Sequence, residues 1–179
     1  MINSSDILHG KILIVDDQEV NILLLEKILS SAGYVSISST KDSNEVCDLH
    51  SKNRYDLILL DLEMPSIAFS GFQVMERLKE IEPGGHLPVI VITAHPDHKL
   101  HALQGGARDF ISKPFELPEV LARVHNMLEV RLLQMEMKNR IEALEQKVQE
   151  VEASRDLIRR QNEEIKSLYD KILSMEGSR

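Results

Sequence analysis

The chain has 179 residues, 42% of them hydrophobic and 4% aromatic, and carries a formal net charge of −8. That acidity argues against sequence-independent binding to nucleic acid or to an anionic membrane, and a single cysteine, Cys47, excludes an internal disulfide and favours a reducing, cytoplasmic setting. No apolar run approaches the ~20 residues of a membrane span, and the N-terminus lacks a signal-peptide pattern. The length suits one domain plus an extension. Acid is unevenly placed: residues 1–125 hold 11 basic and 18 acidic groups, whereas 126–179 hold 10 and 11.

Five strand-helix units are predicted in chain order. The first strand is Lys11 to Val15, and the following helix runs from about Glu19 to Ala32, with Gly33 as its stop. Ile22, Leu25, Ile28 and Leu29 repeat at helical spacing along it. A second strand covers Val35 to Ser39, and Asp42 or Ser43 can cap a helix reaching about Asn53. Cys47 falls within that helix as a small half-buried side chain. The third strand ends at Asp61, and its helix covers about Phe72 to Ile81, closed by Pro83-Gly84-Gly85. A fourth strand ends at Thr93 and precedes a short helix from about Asp97 to Leu103, stopped by Gly105-Gly106. The fifth is Asp109 to Ser112, and the helix beginning near Glu116 meets no stop signal before Gly177. Short β-branched runs alternating with helices predict a doubly wound α/β domain, a five-stranded parallel sheet with helices on both faces.

In a parallel sheet the carboxyl ends of the strands share one edge, and ligands bind in the crevice there. The carboxylates of Asp16 and Asp17 together, the carboxylate of Asp61, the hydroxyl of Thr93 and the ammonium of Lys113 stand at the ends of four separate strands. They should therefore converge across about a hundred residues of sequence. A divalent metal with a phosphoryl group gives such converging charge a physical reason.

The motifs Ile14-Val15-Asp16-Asp17, Leu60-Asp61-Leu62-Glu63-Met64-Pro65, Ile92-Thr93-Ala94 and Asp109-Phe110-Ile111-Ser112-Lys113-Pro114-Phe115 resemble the receiver domain of bacterial two-component response regulators. Each is weak alone; four in order and spacing are specific, and the resemblance covers roughly residues 9–128. It implies a flavodoxin-like fold, phosphorylation of Asp61 by a sensor histidine kinase, and Mg²⁺ as cofactor. It also implies direct metal ligands in Asp17, Asp61 and the backbone carbonyl of Glu63, with Asp16 acting mainly through water. Lys113 would neutralise the phosphoryl oxygens, Thr93 would donate its hydroxyl to one of them, and Phe110 would be the aromatic switch. A cis peptide before Pro114 belongs to the same pattern. The chain departs from it after Pro65, where Ser66-Ile67-Ala68-Phe69-Ser70-Gly71-Phe72 is roughly two residues longer than the usual hydrophobic-Asp-Gly and lacks the Asp. The insertion at Ile67–Ser70 bears on loop geometry and phosphorylation kinetics, not on the ligand set. His95 sits where the family tunes loss of the phosphoryl group, although a loop histidine without special duty fits equally. His9, His50, His86, His98, His101 and His125 show no metal-ligand spacing.

From Ile141 the last helix follows a 3-4 rhythm. With Ile141 at heptad position a, the d positions are Leu144, Val151, Ile158, Ile165 and Ile172, and the further a positions are Val148, Arg155, Asn162 and Tyr169. A stripe this narrow is a coiled-coil seam rather than the face of a globular core. Asn162 favours a parallel, two-stranded, in-register assembly. Arg140 and Lys147 at g would face Glu145 and Glu152 at e of the partner helix; Arg155 and Tyr169 weaken the seam. A helix folding back on its own domain is the alternative.

The expected organisation is thus a receiver over 1–128 and a helical extension over 129–179 that forms a parallel homodimeric coil and signals through it. The Asp61 switch would act through Thr93 and Phe110 on the face made by the helix after the fourth strand, the fifth strand and the final helix. No output activity is read in the chain beyond Mg²⁺-dependent phosphorylation and dephosphorylation of Asp61. Two rivals stand beside this reading. Ala122 to Arg131 resembles the junction where receivers precede cyclic-dinucleotide phosphodiesterase, cyclase, phosphatase or kinase domains, so the chain could be the regulatory portion of a larger enzyme. Alternatively it is a complete adaptor that binds an effector protein. A DNA-binding output is disfavoured, since neither a helix-turn-helix nor a basic region is present.

Overall fold

The computed structural model describes residues 3–64, 71–82, 84 and 87–176, the side chains of residue 96 and of 172–176 excepted. The insertion at Ile67–Ser70, the stop residues Pro83 and Gly85, Pro65, His86, Gly177 and the side chain of Ile172 therefore lie outside the described residues. The chain divides into two units, Met1–Met135 and Glu136–Arg179.

In the first unit, β1 (Ile12–Val15), β2 (Ile37–Thr40), β3 (Leu57–Asp61), β4 (Val89–Thr93) and β5 (Asp109–Ser112) form one sheet in the order β2-β1-β3-β4-β5. Every pairing is parallel. β1, β3 and β4 are buried throughout, as expected of strands covered on both faces. Alternate side chains feed two cores. Ile12, Ile14, Leu57, Leu59, Ile90, Ile92 and Ile111 face one, and Leu13, Val15, Ile58, Leu60, Val89 and Val91 face the other. The first core is closed by Leu25 and Leu29 of α2 (Glu19–Ser31) with Val120, Val124 and Leu128 of α6 (Leu117–Glu176). The second is closed by Val46 of α3 (Val46–Asn53), Val74, Met75 and Leu78 of α4 (Gly71–Ile81) and Ala102 of α5 (Pro96–Gln104).

Two departures from the predicted elements share one cause. A short helix, α1 (Ser4–Leu8), precedes the sheet; its N-terminus is a capping box in which Asn3 and Asp6 satisfy each other's amides. Ile7 of α1 is buried in the first core. The Leu8 carbonyl accepts from the Val35 amide at 3.1 Å, which draws Val35 out of the sheet, so β2 starts at Ile37 rather than Val35. Asp42 caps a 3₁₀ turn at Ser43–Glu45 before α3 begins. The peptide between Lys113 and Pro114 is cis, as the resemblance implies.

The second unit consists of the continuation of α6, helical to Glu176. Every residue from 139 to 171 is exposed. Ile141, Leu144, Val148, Val151, Ile158 and Ile165, the residues expected to form a seam, are each at least half exposed. Among the described residues no helix is long and apolar enough to cross a membrane.

Candidate functional site

β3 is the central strand, and Asp61 is its last residue, completely buried. Asp16 and Asp17 follow β1 on one side, and Thr93 ends β4 on the other. Lys113 directly follows β5, its amide donating to the Thr93 carbonyl at 2.9 Å. All five predicted residues thus meet at the carboxyl edge, and the spacing of parallel strands is the reason.

Oxygens of Asp16, Asp17 and Asp61 lie within 4.8 Å of one another, the one such acidic cluster among the described residues. Lys113 Nζ donates to Asp61 Oδ2 at 2.7 Å and to Asp16 Oδ2 at 3.3 Å. Burial opposes the Lys113 charge, but the hydrogen bonds and charges of Asp61 and Asp16 outweigh it and hold its pKa above the ordinary lysine value. Burial raises the Asp61 pKa, and the neighbouring Asp16 charge adds to that, against the opposing pull of Lys113 and the Glu63 amide.

The three carboxylates are not equivalent. Asp16 is occupied: its carboxylate accepts from the Gln18 amide at 2.8 Å, from Asn21 Nδ2 at 2.9 and 3.1 Å, and from Lys113. Asp17 Oδ1 is buried without a hydrogen-bond partner. A buried, unpartnered carboxylate oxygen among like charges is costly unless a cation takes it. Oxygen donors crowded in this way fit a hard divalent cation. Asp17 and Asp61 would hold it, and when bound it would supply charge neutralisation for an incoming phosphoryl group.

The Thr93 hydroxyl is buried and engaged, donating to Glu63 Oε1 at 2.9 Å; the Ala94 amide donates to the same oxygen at 2.8 Å. Burial raises the Glu63 pKa, but these two hydrogen bonds, with His95 and Lys113 nearby, bring it below the usual carboxylate value. The Glu63 amide in turn donates to Asp61 Oδ1 at 3.0 Å. His95, with 65% of its side chain exposed, places Nε2 3.9 Å from the same Glu63 oxygen. Half-buried Phe110 has two cations against its ring, Lys99 Nζ 5.0 Å and Arg123 Cζ 5.5 Å from the ring centre. Arg123 is itself held by both oxygens of Asp109, at 2.6 and 2.7 Å.

Sequence reasoning passed over the Glu63 side chain, Asn21, Lys99 and Arg123. Glu63 had a positional signal, two residues past Asp61, but its partners lie thirty residues on. For Lys99 and Arg123 the sequence holds no local signal.

A family model described as the response regulator receiver domain matches residues 12–125. The chain belongs to the response regulator receiver family. It is 34% identical over 135 residues to the response regulator PleD of Caulobacter vibrioides, a match covering 74% of this chain and 29% of PleD. It is 34% identical over 119 residues to the polar-differentiation response regulator DivK of Brucella anthropi, covering 65% of this chain and 94% of DivK. The receiver domain of NtrX from Brucella abortus superposes with a TM-score of 0.61 at 30% identity, over 66% of this chain and 98% of that one. The chain thus spans under a third of PleD. As a receiver it is part of two-component, phosphorelay signalling.

Proposed function

We propose that this receiver accepts a phosphoryl group on Asp61 from a sensor histidine kinase, with Mg²⁺ bound by Asp17, Asp61 and the Glu63 carbonyl, and passes the change to a parallel coiled-coil homodimer. An Asp61 carboxylate oxygen attacks phosphorus, the bond from phosphorus to the donor's imidazole nitrogen breaks, and the imidazole leaves. Lys113 neutralises the charge on the phosphoryl oxygens. Asp16, already saturated with hydrogen bonds, acts through water.

One observation supports this above the others: buried Asp61 pairs with Lys113 at 2.7 Å while Asp17 beside it keeps an unpartnered oxygen. Once the acyl phosphate forms, Thr93 exchanges its bond to Glu63 for one to a phosphoryl oxygen, and Phe110 leaves its contacts with Lys99 and Arg123. The test is incubation with Mg²⁺ and a small acyl-phosphate donor. One hydroxylamine-labile phosphoryl group per chain is expected, lost in Asp61→Asn and on chelation of Mg²⁺. Undiminished labelling of Asp61→Asn would refute the assignment.

The coil rests on the a and d residues Ile141, Leu144, Val148, Val151, Ile158 and Ile165, each at least half exposed although Leu157 and Leu168 outside those positions are exposed too, on Asn162, and on g and e charges that attract only in a parallel, in-register pair. A second reading makes the chain the regulatory portion of a larger enzyme. The match covers only 29% of the response regulator PleD but 94% of DivK, so relatives of both lengths exist, and a reading frame continuing into a further domain would establish the second reading.

A further inference from the structure

Outside the acidic site, three charged or titratable residues from separate segments meet inside the first unit. His50 of α3 is fully buried, its Nε2 3.3 Å from Glu82 Oε1. Arg131 of α6, 8% exposed in its side chain, grips Glu82 with two nitrogens, at 3.1 and 3.2 Å. His50 Nδ1 and Arg131 Nε are both buried without a partner. Burying charge and leaving polar atoms unpaired costs stability, and apolar side chains of equal volume would often serve stability better. Arg131 also lies beyond residues 12–125, the segment that matches the family.

Glu82 directly follows α4, and the opposite end of α4 abuts the acceptor. A Cβ placed on Gly71, the first residue of α4, would lie 2.6 Å from Leu62 Cδ2 and 3.0 Å from the Asp61 carbonyl oxygen. Between these ends Val74, Met75 and Leu78 are packed in the second core. From Gly71 to Glu82 the helix spans about 16 Å at 1.5 Å rise per residue. A close-packed helix held at both ends moves as a body rather than deforming.

We propose that the His50–Glu82–Arg131 triad is a positioning site for output, which ties the far end of α4 to α6 and makes α4 a lever between the Asp61 backbone and residues 126–135. This route is separate from the one through Thr93 and Phe110, and its phosphorylation-dependent part rests on the acceptor reading given above. The triad's own coupling does not. Glu82 is the pivot, since both other members bind it.

The test uses the full chain and hydrogen exchange of residues 126–135. Without phosphoryl donor, Glu82→Gln and Arg131→Met should each speed exchange by about tenfold or more, equivalent to ~1.4 kcal/mol. The double variant should be slower than the product of the singles, because neither leaves the other charge unpaired. Arg131→Lys, which keeps charge but loses the two-nitrogen grip, should fall between and serves if Arg131→Met does not fold. With Mg²⁺ and acetyl phosphate, the wild-type chain should change its exchange at 126–135, and the variants should label at Asp61 equally while losing that change. Strictly additive single effects would overturn the clamp. A wild-type chain that labels fully without altering 126–135, or variants that keep the change, would overturn the lever. Absence of labelling in the wild type would instead sink the acceptor reading, with the unphosphorylated comparison still deciding the triad.

Discussion

At the residue scale, the site's chemistry conflicts with its stability. Three carboxylates share one edge, and the ammonium of Lys113 reaches Asp61 and Asp16, so Asp17 contributes repulsion and an unpartnered oxygen. Asp17→Asn should therefore raise the melting temperature of the metal-free receiver by a few degrees, corresponding to ~1 kcal/mol. It should also abolish stabilisation by Mg²⁺, which in the wild type follows from binding the folded state only, and cut labelling of Asp61. Thermal melts with and without Mg²⁺ check this; equal Mg²⁺ stabilisation of both proteins would remove Asp17 from the ligand set. His50 provides a pH signature. Burial lowers its pKa, and Arg131 and Arg54 act in the same direction against the pull of Glu82; the Tyr55 ring stacks against it with ring centres 6.5 Å apart. The unfolded chain thus binds this proton more readily than the folded one. Stability should be fully present above the ordinary histidine value of about 6.5 and should decline as pH falls below it. Glu82, held low by Arg131 and His50 against the opposing effect of burial, loses its contribution only at more acid pH. Urea unfolding between pH 7.5 and 5.5 should show this slope, and His50→Gln should flatten it.

At the element scale, the approach of α4 to β3 leaves no room for a side chain at Gly71. Its nearest neighbours include the Asp61 carbonyl oxygen and the Leu62 Cα, backbone atoms that cannot swing aside. Gly71→Ala should cost about 1–3 kcal/mol, as overpacking does, and lower the urea midpoint without changing the slope. An unchanged midpoint would mean that α4 can shift away from the acceptor, which would also weaken its use as a lever. The elements differ in how far their residues announce them. β1, β3 and β4 are continuous apolar runs because both faces are covered, and the pattern is unmistakable. β2 lies at the edge, with Ser38 and Ser39 exposed, and its start depends on α1 competing for the Val35 amide. That competition joins residues 27 positions apart.

At the scale of the whole molecule, the receiver and the helical unit pose separate questions of assembly. The exposed seam of α6 should draw two copies together at micromolar concentration, with Ile141 to Ile172 extending on the order of 48 Å at 1.5 Å per residue. Asn162→Ile should raise the melting temperature of the coil and admit trimers or antiparallel pairs. The amide it replaces is costly in an apolar seam and is satisfied only opposite its own copy. Asn162→Lys should weaken the dimer and leave Asp61 labelling intact. Sedimentation distinguishes these states. A monomeric full chain, or an Asn162→Ile variant unchanged in melting and assembly, would show that the heptad frame is misplaced.

The sequence by itself determined the five-stranded parallel sheet, the edge at which Asp16, Asp17, Asp61, Thr93 and Lys113 meet, and the long last helix. Each of these is positional: strand ends of a parallel sheet coincide whatever the loops do, and a helix with no stop signal before Gly177 is visible in one dimension. Only the tertiary structure decided which oxygen of the acidic cluster stays unpartnered. It also decided that Glu63 holds the Thr93 hydroxyl and that Lys99 and Arg123 lie against the Phe110 ring. His50, read from sequence as one histidine among seven, became a buried partner of Glu82 and Arg131. Such contacts depend on side-chain reach between helix ends brought together by packing. The residues involved, separated by up to 81 positions, carry no local pattern that could announce them.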